Sequence, residues 1–233
     1  MQRSSEPATR GLKIISRTIP DGQIGEILST PGIFFEHGHF LYPVSDGKRE
    51  GSHLDAIFLI EPIARKQQCV QAIVDDICRW IKKESIEFDV VFAPSQAAVK
   101  TMAERLAART GKRAAFWEYL PTGWFGEKLE SGEIRPGDRV LVFNAVTQQG
   151  KCIGERLPEF AKSLGGETVA AAVVAKGTGA GVQAAEKRFG SKLYATIQVD
   201  IQVQPPDSCT ICAEQTGGPP VPWTDMRDRG VRP

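Results

Sequence analysis

Two small sets of side chains in this sequence have the types and spacing that metal binding requires. Cys209 and Cys212 are separated by two residues, the spacing of half a tetrahedral zinc site. Because no second cysteine pair follows, the zinc hypothesis needs two copies of the chain facing each other across a dimer axis. His37 and His39 would point the same way on a strand, as two ligands do. Inert or redox-responsive thiols and structural histidines are the alternatives.

Three loops follow predicted buried strands and could carry further chemistry. Loops at the carboxyl ends of parallel strands converge on one edge of a sheet, where the ligands of such folds bind. The second of these loops contains Trp124 and Phe125, an apolar pair that indicates contact with a ligand base or a protein partner, or packing beneath its own loop. The loops cover residues 94–98 (PSQAA), 120–136 and 144–151 (NAVTQQGK).

The elements that position these loops alternate between strand and helix. Apolar residues recur at intervals of three and four over residues 65–84, which predicts a helix. Two further helices are expected, one ending at Gly111 and one interrupted by Pro158. The alternation predicts an α/β domain with a central parallel sheet flanked by helices. Its strands are predicted from the apolar runs FDVVFAP, DRVLVFNAV, ETVAAAVVAKG and KLYATIQVDIQV.

The sequence pattern divides the chain into three parts. Residues 1–32 form a lead with a short helical pattern, and residues 33–204 form the α/β domain. The domain begins with two short predicted strands around a polar loop at 45–53. Residues 205–233 are rich in proline and glycine and are expected to lie on the surface as a tail that carries the cysteine pair.

The composition excludes several classes of function. Lys and Arg together number 29 and Asp and Glu together 28, so the chain has no overall field that attracts nucleic acid or an anionic membrane. No apolar run approaches the roughly 20 residues that span a bilayer, and the first residues lack the apolar core of a signal peptide. The five cysteines are therefore expected to be reduced thiols in a cytoplasmic protein.

From about Gly32 to Pro220 the sequence resembles the orotate phosphoribosyltransferases, which are type I phosphoribosyltransferases. The resemblance implies a phosphoribosyltransferase fold with a small N-terminal hood, assembled as a homodimer. It also implies transfer of ribose 5-phosphate from phosphoribosyl pyrophosphate to orotate, with magnesium, in pyrimidine synthesis. The matching segments are GHFLYPVSDGK, DVVFAPSQAAVKTMAERLAARTGKRAAFWE, RPGDRVLVFNAVTQQGKC, AAVVAKG and PPDSCTICAEQTGGPPVP.

The residues that bind the ribose in the family are changed in this chain. Two acidic residues of the family correspond to Asn144 and Ala145, so both negative charges that would stabilise the transition state are absent. The following turn binds the 5-phosphate in the family, and its backbone amides at a helix N-terminus could still do so. A plain strand–turn–helix junction is the alternative. The turn comprises Thr147, Gln148, Gln149, Gly150 and Lys151.

The pyrophosphate loop of the family is changed as well. Its glycines correspond to Ala93, Ala97 and Ala98, and the added methyl groups resist positive φ angles and fill space that a ligand would use. Ser95 and Gln96 could still form hydrogen bonds to a ligand. A plain turn is the alternative.

Cationic positions of the family are replaced in the same direction. A substrate-contacting lysine corresponds to Asp55 and an arginine to Tyr119, whereas Lys176 either replaces the arginine that contacts orotate or is a solvated lysine at a strand end. The mobile catalytic loop, basic in the family, is acidic and aromatic here and would repel pyrophosphate. It contains Trp124, Phe125, Glu127, Lys128 and Glu130.

Three functions follow as hypotheses. The first is a pseudoenzyme that binds a nucleotide, a phosphorylated sugar or a protein partner, with magnesium needed only if phosphoribosyl pyrophosphate still binds. The second is an enzyme with altered chemistry that transfers or cleaves at the sugar of a nucleotide. The third is a component of a bacterial toxin or antiviral defence cassette. Catalytic candidates for the second are Asp55, His37, His39, Glu118 and Lys176.

Overall fold

A computed structural model describes residues 11–16, 19–42, 51–215 and 218–229. The architecture is α/β, with a seven-stranded sheet flanked by helices and two smaller sheets of four and two strands. Residues 43–50, which include much of the predicted polar loop, lie outside the described residues. The first ten residues of the predicted lead and residues 216–217 and 230–233 of the predicted tail also lie outside them.

The strands are β1 (Leu12–Ile14), β2 (Phe34–Phe35), β3 (Phe40–Leu41), β4 (His53–Leu54), β5 (Ile57–Phe58), β6 (Val90–Pro94), β7 (Arg113–Tyr119), β8 (Phe125–Gly132), β9 (Arg139–Thr147), β10 (Glu167–Lys176), β11 (Leu193–Val199), β12 (Val203–Gln204) and β13 (Val221–Pro222). The helices are α1 (Asp21–Leu28), α2 (Glu61–Ala64), α3 (Gln67–Lys83), α4 (Ala97–Thr110), α5 (Leu157–Ser163), α6 (Ala180–Phe189), α7 (Thr210–Glu214) and α8 (Trp223–Arg229). A wide π-helical turn, Cys152–Arg156, leads into α5.

The order of strands in the large sheet places a crevice at its centre. The order is β1-β11-β10-β9-β6-β7-β8, with β11 to β7 parallel and both edge strands antiparallel. From β6 the chain proceeds to β7 on one side, and from β9 it proceeds to β10 and β11 on the other. The topology therefore reverses between β6 and β9, and a crevice opens beyond their carboxyl ends.

Helices cover the large sheet on both faces, as the continuous apolar strands predict. In β6, Val91 and Ala93 pack in the core that contains α3 and α4, whereas Val90 and Phe92 pack in the core that contains α5 and α6. All four side chains are fully buried. Successive side chains of a strand point to opposite faces of the sheet. Because both faces of this sheet are covered by helices, every residue of the strand must be apolar.

The predicted helix over 65–84 is confirmed as α3. Its apolar stripe of Val70, Ile73 and Ile77 is fully buried against the sheet and neighbouring helices. Helix α4 ends at Gly111, as predicted, because Gly111 adopts a left-handed conformation with φ 66° that other residues adopt at a cost.

Two elements differ from the sequence-based expectation. Residues 120–136 were expected to form an irregular loop, but Phe125–Gly132 pair with β7 as strand β8. Phe125 is buried and its ring contacts that of Phe160 at 5.7 Å between centroids, so Phe125 packs beneath its own hairpin, whereas Trp124 is half-buried. Helix α6 was not expected, because the glycines at 177, 179 and 181 that precede and begin it disfavour helix.

Residues 205–233, the predicted surface tail, are mostly exposed or half-buried where the structure describes them, but parts of this segment pack against the short strands. Strand β13 pairs with β3 in the four-stranded sheet, and Met226 of α8 is buried against Phe40 and Leu54. These strands are two residues long, and a run of that length carries no detectable alternation of polar and apolar residues. Within the described ranges, no helix is both long and apolar enough to cross a membrane.

Asp76 links helix α3 to the sheet and generates a test of the fold. Its side chain is completely buried and accepts hydrogen bonds from Tyr194 at 2.6 Å and Thr196 at 3.1 Å, as well as from Ser16. We expect Asp76→Ala to lower the free energy of unfolding by about 3 kcal/mol, because three hydroxyls, that of the fully buried Thr196 among them, lose their acceptor. Urea denaturation followed by circular dichroism measures this change.

Asp75 provides the matched control, since it is adjacent in sequence and pairs with the exposed Arg109 at 3.1 Å. We expect Asp75→Ala to change the free energy of unfolding by less than about 1 kcal/mol. Equal effects of the two substitutions would show that Asp76 has no special part in joining α3 to the sheet.

Candidate functional site

A cleft of about 730 Å³, part of it open to solvent, lies where the topology of the large sheet reverses. Its walls come from the ends of β7 and β9, the loop after β6, the short strands β4 and β5, and helix α8. Most of its lining is aromatic or aliphatic. The aromatic residues are Tyr42, Phe58, Tyr119, Trp124, Phe125 and Trp223, and the amide side chains are Gln96, Asn144 and Gln148.

The cleft has almost no ionic charge. Among the described residues that line it there is no lysine, arginine or histidine, and Glu61 is the single carboxylate. Glu61 Oε1 accepts a hydrogen bond from Gln96 Nε2 at 2.7 Å. A multiply charged anion in this cleft would therefore lose its hydration without gaining a cationic partner from these residues.

The end of β9 forms part of the cleft floor and lacks carboxylates. Asn144 is buried, and its Oδ1 accepts a hydrogen bond from the Ala145 amide at 2.8 Å. Ala145 is also buried and offers a methyl group. This strand end can therefore hold a neutral polar group but cannot bind a divalent cation through paired carboxylates.

The turn after β9 contains buried polar atoms without partners. Thr147 Oγ1 and Gln148 Oε1 have no hydrogen-bond partner among the described residues, although both side chains are more than nine-tenths buried. A ligand that bonds to these atoms would remove the cost of leaving them unsatisfied. Gln149 is half-buried, and Lys151 is exposed where the helical segment begins.

Glycines allow this turn to pack closely against the start of α6. Gly150 has φ 73°, and a Cβ there would lie 2.0 Å from the Gly181 carbonyl oxygen. A Cβ at Gly181 would in turn lie 1.9 Å from the Gln149 carbonyl oxygen. The backbone of the turn is therefore fixed by contacts that no larger residue could make.

The loop after β6 has the geometry of an ordinary strand-to-helix turn. None of residues 93–98 has a positive φ, and Ala97 begins α4 while Ala98 is buried. Ser95 Oγ accepts a hydrogen bond from the Tyr119 amide at 3.0 Å, so the serine joins two neighbouring strand ends. Gln96 alone of these side chains faces the cleft.

Helix α8 and the β7–β8 hairpin cover the cleft together. A Cβ at Gly123 would lie 2.5 Å from Trp223 Cζ2, so the indole packs directly on the glycine. The Tyr119 hydroxyl donates to the Gly123 carbonyl at 2.8 Å and holds the hairpin turn in place. The guanidinium of Arg156 lies 6.0 Å from the centre of the Trp124 ring.

Three of the catalytic candidates proposed from the sequence lie away from the cleft and from one another. Asp55 Oδ1 accepts a hydrogen bond from the Gln202 amide at 2.8 Å, which connects the hood, the part of the chain that contains β2 to β5, to the residues between β11 and β12. Glu118 accepts from the Glu127 amide and lies 3.7 Å from Lys128 within the hairpin. Lys176 forms an ion pair with Glu186 of α6. The structure does not bring them together as a catalytic group.

The two histidines expected to share a strand face are separated. His37 is exposed and has φ 56°, which reverses the chain between β2 and β3. His39 is buried just before β3. The prediction that they point the same way is wrong, because it assumed extended backbone at both positions.

His39 belongs instead to a group of four potential metal ligands, which we name the Cys2His2 cluster. Their ligand atoms all lie within 4.8 Å of one another. The cluster forms within one chain, so the cysteine pair does not need a second copy to complete four ligands. Sequence reasoning missed His53, although the chain has only three histidines to test as partners. The cluster consists of His39, His53, Cys209 and Cys212.

Comparison with known proteins identifies the family. The orotate phosphoribosyltransferase of Pyrococcus abyssi is 30% identical to this chain over 162 residues, which cover 70% of this chain and 84% of that protein. The chain belongs to the orotate phosphoribosyltransferase family. The orotate phosphoribosyltransferase of Carboxydothermus hydrogenoformans is 26% identical over 165 residues and 81% of its length. No protein-family model matches the sequence.

Solved structures agree with the phosphoribosyltransferase fold. The orotate phosphoribosyltransferase of Aeropyrum pernix superposes with a TM-score of 0.54 at 19% identity, covering 76% of this chain and 93% of that one. The Leishmania donovani UMP synthase gives a TM-score of 0.51 at 14% identity over 71% of this chain and 33% of that one. The fold expected from the family resemblance is confirmed.

The reactivity of Cys152, which lines the cleft, tests how far this part of the cleft is shielded from water. Burial raises the pKa of its thiol to about 11, against the smaller opposite effect of Arg156. Burial and the neighbouring Cys152 also raise the pKa of Tyr42 above its ordinary value. We expect iodoacetamide to modify Cys152 at pH 8 at least about a hundredfold more slowly than free cysteine, because the thiolate is the reactive form.

Peptide mapping by mass spectrometry measures this rate for Cys152 alone. The rate should rise about tenfold for each pH unit between 8 and 10, because the thiolate fraction does so below the pKa. Modification at the rate of free cysteine would contradict the shielding of this half-buried thiol at the wall of the cleft.

Proposed function

We propose that this member of the orotate phosphoribosyltransferase family binds a nucleoside or nucleoside monophosphate in its cleft and does not transfer ribose phosphate. The observation that carries the proposal is the lining of the cleft, which combines aromatic rings with amide side chains and lacks cationic groups among the described residues. Planar, uncharged heterocycles are the ligands that such a lining favours.

The aromatic residues suit a base and the amides suit its polar edge. Stacking of a base on an aromatic ring contributes roughly 1–3 kcal/mol and does not depend on a particular base. Trp124 and Trp223 stand at the cover of the cleft, where an inserted ring could stack. Gln148 would supply hydrogen bonds to the base or sugar, since its buried side-chain oxygen has no partner among the described residues.

The end of β9 lacks the groups that transfer of ribose phosphate requires. An oxocarbenium-like sugar needs negative charge beside it, and Asn144 and Ala145 supply none. Magnesium, which the family resemblance implies, does not fit the same position, because Mg²⁺ sites use carboxylates and the single carboxylate of the described lining, Glu61, is already bonded to Gln96. No catalytic step is therefore assigned to a metal.

Lys151 would contribute only to ligands that carry a 5′-phosphate. It is exposed at the start of the helical segment after Thr147, where a phosphate would meet both its charge and the free amides of a helix N-terminus. The homodimer implied by the family resemblance is retained as part of the proposal.

Uridine and uridine monophosphate are suitable probes of this function. We expect both to quench tryptophan fluorescence with dissociation constants in the micromolar range, because each would stack near Trp124 and Trp223. Gln148→Ala should weaken both about tenfold, since one buried hydrogen bond is lost. The matched control is Gln149→Ala, whose side chain does not line the cleft and which should change affinity less than about twofold.

Lys151→Glu separates the two ligand types. It should weaken the monophosphate at least about tenfold by reversing a charge and leave uridine unchanged. Loss of uridine binding in this variant would contradict the assignment of Lys151 to the rim. Release of pyrophosphate from phosphoribosyl pyrophosphate and magnesium, dependent on orotate, would overturn the proposed function as a whole.

A further inference from the structure

The Cys2His2 cluster has the dimensions of a tetrahedral zinc site. With typical zinc–sulfur and zinc–nitrogen bond lengths, ligand atoms at the corners are separated by about 3.3 Å for two nitrogens, about 3.6 Å for nitrogen and sulfur and about 3.8 Å for two sulfurs. His39 Nε2 lies 3.6 Å from Cys209 Sγ and 3.5 Å from Cys212 Sγ. Three of the four nitrogen–sulfur separations in the cluster thus range from 3.3 to 3.6 Å, the shortest of these being that between His53 and Cys212.

The two histidine nitrogens lie closer together than the three nitrogen–sulfur pairs given above. His39 Nε2 and His53 Nδ1 are 2.9 Å apart, a distance that a hydrogen bond between them also explains. The two nitrogens and the two sulfurs nevertheless surround one common point, since all four atoms lie within 4.8 Å of one another. A tetrahedral ion would require these nitrogens to separate by a few tenths of an ångström.

The surroundings of His39 match those of a metal ligand. Its other ring nitrogen, Nδ1, lies 2.7 Å from the Gly218 carbonyl oxygen. A proton on Nδ1 donates to that carbonyl and leaves Nε2 with a lone pair directed at the cysteines. This arrangement of a ligand nitrogen and an oriented second nitrogen is general among zinc-binding histidines.

Burial and charge favour a divalent cation at this position. His39, His53 and Cys209 are each more than nine-tenths buried. Two thiolates and two neutral imidazoles around a divalent zinc ion sum to zero charge, so an occupied site costs little in a buried environment. Cys212 is exposed and provides the route by which the ion enters.

We propose that the Cys2His2 cluster binds one zinc ion within a single chain and that this ion holds the C-terminal segment over the cleft. The two cysteine thiols release their protons to solvent on binding, and the two histidines bind as neutral rings, so no redox partner is needed. A closed set of four protein ligands assigns the ion to structure rather than to catalysis. The inference is independent of the nucleoside proposed above.

The consequence for the fold follows from where the ligands stand in the chain. His39 precedes β3 and His53 lies in β4, both in the hood, whereas the cysteines flank the start of α7 near the C-terminus. The Val221 amide donates to the His39 carbonyl at 2.8 Å, and Trp223 follows two residues later. A metal bond at the cluster therefore fixes the segment that carries the cover of the cleft.

Metal analysis of the full-length chain, purified without chelator, tests the site. We expect about one zinc per chain by plasma mass spectrometry, and the visible absorption of tetrahedral, thiolate-bound cobalt after exchange with Co²⁺. Cys212→Ser should lose at least about tenfold in zinc affinity. Cys152→Ser is the matched control and should retain full occupancy, because Cys152 lies outside the cluster.

Hydrogen exchange tests the role of the ion. Removal of zinc by a chelator should increase exchange in residues 218–226 more than in helix α3, which packs elsewhere. The cobalt spectrum of the unaltered chain keeps the proposal testable if Cys212→Ser fails to fold. The proposal is overturned by less than about a tenth of a zinc per chain after incubation with excess Zn²⁺, by half a zinc per chain in a dimer, or by a Cys209–Cys212 disulfide in place of metal.

Discussion

The pairing of hood strands with C-terminal strands is the constraint on which the rest of this structure depends. Strand β3 pairs with β4 and β13, and β4 also pairs with β12, so segments separated by about 150 residues (β4 and β12) and about 180 residues (β3 and β13) form one small sheet. That sheet brings the two histidines to the two cysteines and carries α8 to the mouth of the cleft. The buried residues Phe40, Leu54 and Met226 belong to a core of their own, separate from the two cores that flank the large sheet.

Under the proposed function, the large sheet keeps the scaffold of the family while the cleft binds a different kind of ligand. Burial on both faces fixes the parallel strands, and the reversal of topology between β6 and β9 fixes where a ligand binds. The side chains at the strand ends are under neither constraint. Asn144, Ala145 and Tyr119 are uncharged side chains at these strand ends, and the described lining of the cleft consists mainly of rings, aliphatic groups and amides. Rings and amides are sufficient to bind a neutral heterocycle, whereas stabilising a charged transition state requires ionic groups.

Helices and strands with a strong local sequence pattern were predicted correctly. The apolar stripe of α3, the continuous apolar strands and Gly111 each specify their structure through nearby residues, and each is present. The two-residue strand β13 was not predicted, because its pairing partner β3 lies far away in the chain. The hairpin strand β8 was not predicted either, although it pairs with the preceding strand β7. Only the cysteines of the Cys2His2 cluster, together with His39, were recognised as candidate ligands from the sequence. The two cysteines lie close together in the chain, whereas the histidines come near them only through the pairing of strands in the small sheet.

The most direct test of the central claim, that this cleft has lost its affinity for pyrophosphate, is a calorimetric titration of pyrophosphate with magnesium into the full-length chain. Pyrophosphate carries the charge that the family site must hold, but it contains no base or sugar that could bind by stacking. The account predicts no saturable heat up to millimolar concentration, because the described lining offers no cationic group. Saturable binding in the micromolar range would contradict it.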